Sequence, residues 1–112
     1  MMQFSFNSGL YKATRIAGRS HNFLAIRLSD LKQDTKVTAL PVLPNEELRI
    51  EAQDVLEQVR SGLLLINEEA GKNYYISEIQ YIPSDTHSPD IYQTLAIELL
   101  QRIHLGAVFT TP

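Results

Sequence analysis

Between Asn45 and Gly106 the apolar positions fall into three blocks: a helical stripe, an extended run and a second helical stripe. In the first block Leu48, Ala52, Val55, Val59, Leu63, Ile66 and Ala70 recur at gaps of three and four, the repeat of one face of an α-helix. Asn45 supplies an N-cap, Glu46, Glu47 and Glu51 place negative charge at the positive end of the helix dipole, and Gly71 supplies a C′ residue. Gly62 interrupts this run, at about 1 kcal/mol relative to alanine, which a strand passing close to the helix there would justify. A competing reading ends the helix at Gly62 and makes Leu63–Ile66 a strand, hairpinned to Tyr74–Ile82 through Asn67–Asn73. The period survives across Gly62 and favours the continuous helix.

Tyr74–Ile82 is rich in aromatic and β-branched residues and reads as a strand, with Tyr74 and Ile76 on one side and Tyr75, Ser77, Ile79 and Tyr81 on the other. Pro83 ends it. Ser88 then reads as an N-cap with Pro89 at N1 and Asp90 in the first turn. Ile91, Tyr92, Leu95, Ala96, Leu99, Leu100 and Ile103 form the second stripe, closed by Arg102, His104 and Gly106. Ala107–Thr111 reads as a short last strand or a frayed end.

The first forty residues alternate in the manner of strands. Phe4 and Phe6 precede the turn Asn7-Ser8-Gly9, Leu10–Ala17 precedes the turn Gly18-Arg19-Ser20, and Phe23–Leu28 is apolar on both parities, as an interior strand is. A polar connection, Ser29–Thr35, leads to a fourth strand, Lys36–Leu40, broken by Pro41 and Pro44. Turns this short join antiparallel neighbours, so the region reads as a meander. The whole predicts an α+β class fold, a two-layer sandwich of four or five mostly antiparallel strands with two amphipathic helices on one face, in a single domain spanning 1–112.

Composition narrows the function classes. The chain has no cysteine, which removes disulfides, thiolate metal sites and cysteine nucleophiles and fits a reducing compartment. The start, Met1-Met2-Gln3-Phe4-Ser5-Phe6-Asn7, has neither the basic nor the apolar region of a signal peptide, and no apolar run exceeds four residues (Leu63–Ile66). A soluble, cytoplasmic protein without membrane contact is expected. The net charge of −3 conceals an asymmetry: residues 1–40 carry six basic and two acidic side chains, residues 41–112 four basic and eleven acidic. A dipolar surface follows if the two sets lie apart.

Candidate chemistry is sparse. Asp85, His87 and Asp90 form the one local cluster of catalytic side-chain types, able in principle to ligate a divalent metal or to let Asp85 orient His87 as a base, with Glu78 or Tyr81 on the neighbouring strand. Helix-start and turn chemistry already accounts for Asp85, Thr86, Ser88, Pro89 and Asp90, so no catalytic, metal or cofactor site is assigned and no cofactor is expected. His21 and His104 read as solvated or dipole-complementing. Lys12, Arg15, Arg19, Arg27, Lys32 and Lys36, interleaved with Tyr11, His21 and Phe23, suggest an RNA-binding sheet face, but the acidic balance makes nucleic acid the less favoured partner.

The run Val55-x-x-x-Val59-x-x-Gly62-Leu63, then Gly71, then Tyr75-Ile76-x-x-Ile79, then Asp85 and a helix resembles the helix–strand–helix half of domain IV in ribosomal translocation factors. The likeness covers about half the chain, its intervening loop is shorter here, and the functional tip of that domain has no counterpart. It carries over no residue and no role. The expectation is therefore a non-enzymatic interaction or regulatory module, a homodimer, using a sheet face that presents Lys12, Arg15, Arg27, Tyr75 and Tyr81. A small metal-dependent hydrolase built on Asp85, His87 and Asp90, and an RNA- or ribosome-associated accessory protein, are the alternatives.

Overall fold

The computed structural model describes residues 1–111. Its elements are β1 (Met2–Asn7), β2 (Leu10–Ala17), β3 (Ser20–Ser29), β4 (Lys36–Ala39), α1 (Ala52–Ala70), β5 (Tyr75–Tyr81) and α2 (Ile91–Leu105). The strands form one sheet in the order β1-β2-β3-β5-β4, antiparallel except for β4 against β5.

β1, β2 and β3 form the meander that the turn residues predict. The first hairpin closes on two residues with positive φ, Ser8 at 54° and Gly9 at 79°, the pairing that lets a two-residue loop follow strand twist. β4 departs from the meander. β5 is laid between it and β3, so β4 joins β5 in parallel through the α1 crossover, as parallel strands require.

Paired residues point to the same side of a sheet, and the core draws on one side only. Ala13, Leu24, Ile26, Ile79 and Tyr81 share that side by register, and they form one buried cluster with Val55, Val59 and Ile66 of α1 and Tyr92, Leu95 and Leu99 of α2. Both helices therefore cover the same face. β5 contributes through a bulge: Leu28 pairs with Ile76 and Arg27 with Glu78, leaving Ser77 as the extra residue. The bulge reverses the parity expected along β5. Ile76 joins Ile79 and Tyr81 in the core, and Tyr75 turns to the other side.

α1 runs unbroken through Gly62 and Leu63–Ile66, so the hairpin alternative falls. A Cβ at Gly62 would lie 3.0 Å from the Gln93 carbonyl oxygen and 3.1 Å from the Ala96 Cβ, so the close neighbour is α2 and not the strand anticipated. The helix starts later than Asn45. Pro83 C=O accepts from the N–H groups of both Arg49 (2.8 Å) and Ile50 (3.0 Å), holding the lead-in chain along the end of β5 instead of in the helix. Leu48 is consequently 69 % exposed, and Ile50, off the predicted stripe, is buried in its place.

α2 also starts late. Ser88–Asp90 form a turn, Asp90 takes the cap position at φ 56° without a side-chain cap bond, and the helix begins at Ile91. The Tyr92 N–H is satisfied from across the helix pair, by Gln58 Oε1 at 2.9 Å. The last segment does extend the sheet: Thr110 makes a parallel bridge to Ser5 on the outer edge of β1. No helix among the described residues is long and apolar enough to cross a membrane.

Candidate functional site

The loop leaving β5 passes beside the start of β3, because Leu24 pairs with Tyr81 and the next residues continue past Phe23, Asn22 and His21. Pro83 and Ser84 occupy the centre of a turn closed by Asp85 N–H to the Ile82 carbonyl at 3.1 Å. That turn drives the Asp85 side chain inward. Its carboxylate is fully buried; Oδ2 accepts the Phe23 N–H at 2.7 Å, and Oδ1 lies 2.8 Å from His21 Nδ1. That contact is an ion-pair approach, and Oδ1 is buried with no hydrogen-bond partner among the described residues. Burial raises the Asp85 pKa; the Phe23 amide and His21 oppose that rise, and nearby Glu46 adds to it.

Further bonds tie the same loop to β3. Thr86 N–H donates to the His21 carbonyl and His21 N–H to Thr86 Oγ1, both at 3.2 Å. Asn22 Nδ2 donates to the Thr86 carbonyl at 2.8 Å and to the Tyr92 hydroxyl at 3.4 Å, while its buried Oδ1 has no partner among the described residues. Burial pushes the Tyr92 hydroxyl up to about 12. Asn22 occupies a core-parity position in an otherwise apolar series with Leu24, Ile26 and Leu28, and that misplaced polar residue was a readable signal. His21 with Asp85 gave none.

The His21 ring is 58 % exposed and stands at a cleft of about 370 Å³ lined by Asn45, Glu46, Glu47, Arg49 and Ser84. With Nδ1 held by Asp85, Nε2 is the nitrogen left for an outside partner, the arrangement that orients a histidine base or ligand. The Ser84 hydroxyl donates to Glu46 Oε2 at 3.1 Å, so its proton is committed to the carboxylate. The structure does not bring Asp85, His87 and Asp90 together. His87 and Asp90 are exposed, both Asp85 oxygens are directed at β3, and among the described residues no group of three or more His, Asp or Glu converges to hold a metal ion.

On the sheet face away from the helices, Lys12, Arg27 and Tyr75 share one side with Thr14, Ile16, Phe23, Ala25, Glu78, Gln80, Lys36 and Thr38. Arg27 Nε lies 3.3 Å from Glu78 Oε1, and Arg27 Nη1 donates to the Ser8 carbonyl at 2.9 Å. The Gln80 amide, then Arg27 and Lys36, hold the Glu78 carboxyl below its ordinary range despite some burial. Two residues of the expected surface lie elsewhere. Arg15 pairs with Met2 and Asn22 on the helix side, and Tyr81 is buried in the core with its pKa raised by that burial.

No protein-family model, no curated protein and no solved structure matches this chain. The likeness to translocation-factor domain IV thus stays at the level of helix–strand–helix order.

Proposed function

We propose that the protein is a non-enzymatic interaction module that self-associates, as a cytoplasmic homodimer, through the sheet face its helices leave bare. The observation that carries this reading is the one-sided core: both helices pack on one face, and the other presents Lys12, Arg27, Tyr75, half-buried Phe23 and exposed Ile16. Aromatic residues and arginine are the types enriched at protein interfaces. The face is also self-complementary in charge, since Arg27 and Lys36 flank Glu78, Lys12 lies on the same side, and a two-fold pairing can set basic groups of one copy against the carboxylate of the other.

Sedimentation velocity tests it. A concentration-dependent dimer is expected, weakened by Ile16→Asp and by Lys12→Glu with no loss of far-UV circular dichroism. A strict monomer up to about 1 mM, the concentration that would reveal even a weak pairing, overturns the reading.

A further inference from the structure

The ladder between β1 and β2 fixes which backbone groups of β1 face outward. Met1 and Ile16 exchange both backbone bonds, at 2.6 and 2.8 Å, so Gln3, Ser5 and Asn7 turn toward β2 and Met2, Phe4 and Phe6 turn to the outer edge. Thr110 satisfies half of that edge: its carbonyl accepts the Phe6 N–H at 2.9 Å and its N–H donates to the Phe4 carbonyl at 3.2 Å. The other half has no partner among the described residues. It presents, in order, the Met2 N–H, the Met2 carbonyl and the Phe4 N–H.

Beside this free half sits a cation with no carboxylate partner among the described residues. Arg102, in the last turn of α2, lays its guanidinium carbon 4.1 Å from the centre of the Phe4 ring. It pairs with no carboxylate among the described residues, and its Nε–H is buried with no acceptor. A buried donor without an acceptor is a standing penalty in a folded protein. Contact with the Phe4 ring keeps the guanidinium at this edge, and its planar fork is the shape that suits a carboxylate. Edge and fork share a cleft of about 510 Å³, whose walls include Met2, Phe4, Thr14 and Val108 and, among the described residues, no acidic side chain.

We propose that the free half of the β1 edge is a strand-addition site for an extended peptide whose C-terminal carboxylate is held by Arg102. The donor–acceptor–donor series selects a peptide over a simple oxyanion, because only a backbone returns both acceptors and a donor at strand spacing. The positive, acid-free wall selects the carboxylate end. Thr14 is a wall residue that belongs to the bare sheet face, but the β1 edge groups and Arg102 that carry this site are not among the residues invoked for self-association, so it stands or falls separately from that reading.

Two acetylated Thr/Val hexapeptides, one ending in a free carboxylate and one in an amide, test it against ¹⁵N-labelled protein. The carboxylate peptide should shift the Phe4 amide and the Arg102 Nε–H together, and the amide form should bind roughly tenfold more weakly, the loss of one charge-assisted contact. Arg102→Gln should make the two peptides equal, and Arg102→Lys should restore part of the difference. The proposal is overturned if the Phe4 amide stays unmoved up to about 5 mM peptide, if both peptides bind equally to the unaltered protein, or if acetate alone reproduces every shift.

Discussion

Two carboxylates in this molecule each face a basic side chain, and their surroundings push them in opposite directions. Asp85 is fully buried, lies 2.8 Å from His21, and titrates above its ordinary range. Glu78 is 21 % exposed, lies 3.3 Å from Arg27, and titrates below its ordinary range. The shorter contact belongs to the carboxylate that holds its proton more tightly, so proximity to a base does not set the direction. Removal from water does: Asp85 has given up nearly all hydration for the Phe23 amide and the nearby His21 ring, whereas Glu78 keeps solvent and adds Gln80, Arg27 and Lys36.

The largest effect expected from this contrast is loss of the Asp85 acceptor. Asp85→Ala leaves the Phe23 N–H without a partner and should lower stability by about 2–3 kcal/mol in urea denaturation at pH 7, while Glu78→Ala should stay within about 0.5 kcal/mol. Equal losses would show that burial does not separate the two sites. Asp85→Asn sharpens the point. An amide oxygen still accepts from Phe23 and carries no charge to desolvate, so this variant should lose less than about 1 kcal/mol at pH 7.

The pH dependence should separate them by sign. The folded-state pKa of Asp85 is raised, so the folded protein binds the proton more tightly, and this residue's contribution to stability declines as pH rises from the unfolded carboxylate value through the raised one. Relative to wild type, Asp85→Asn should therefore gain stability across that window. Glu78 works the other way: its contribution is complete above the unfolded value and is lost as pH falls through the lowered one, so Glu78→Gln should level the acid limb. Denaturation curves from pH 3 to 7 on the three proteins check both signs. The smallest change expected is in Arg27→Lys, which keeps the charge but loses the fork reaching both Glu78 and Ser8, for about 0.5 kcal/mol or less, eroding further in salt.

What could be read in advance divides along the same physical line. α1 was legible across Gly62, and α2 along its whole buried stripe, because helical periodicity is a local signal that tertiary contacts only reinforce. The two helix starts were misplaced because distant groups decide them: Pro83 holds back 49–50, and Gln58 supplies the bond that Ser88 or Asp90 was expected to make. The bulge at Ser77 was illegible, since nothing in YISEIQY marks the residue to be skipped. His21 and Asp85 meet across 64 positions, through the register of β3 with β5, and sequence spacing carries no trace of that register.

β5 occupies an inner place in the sheet although four other strands precede it along the chain. During synthesis or refolding, the side of β3 that β5 will cover stays open while the forty-five residues 30–74 are still being laid down. Closure therefore spans far more chain than either hairpin, and pairings of this non-local kind are the ones that slow folding. Until it occurs, the nascent chain displays an apolar ribbon to which a chaperone, or a neighbouring ribosome's product, has access.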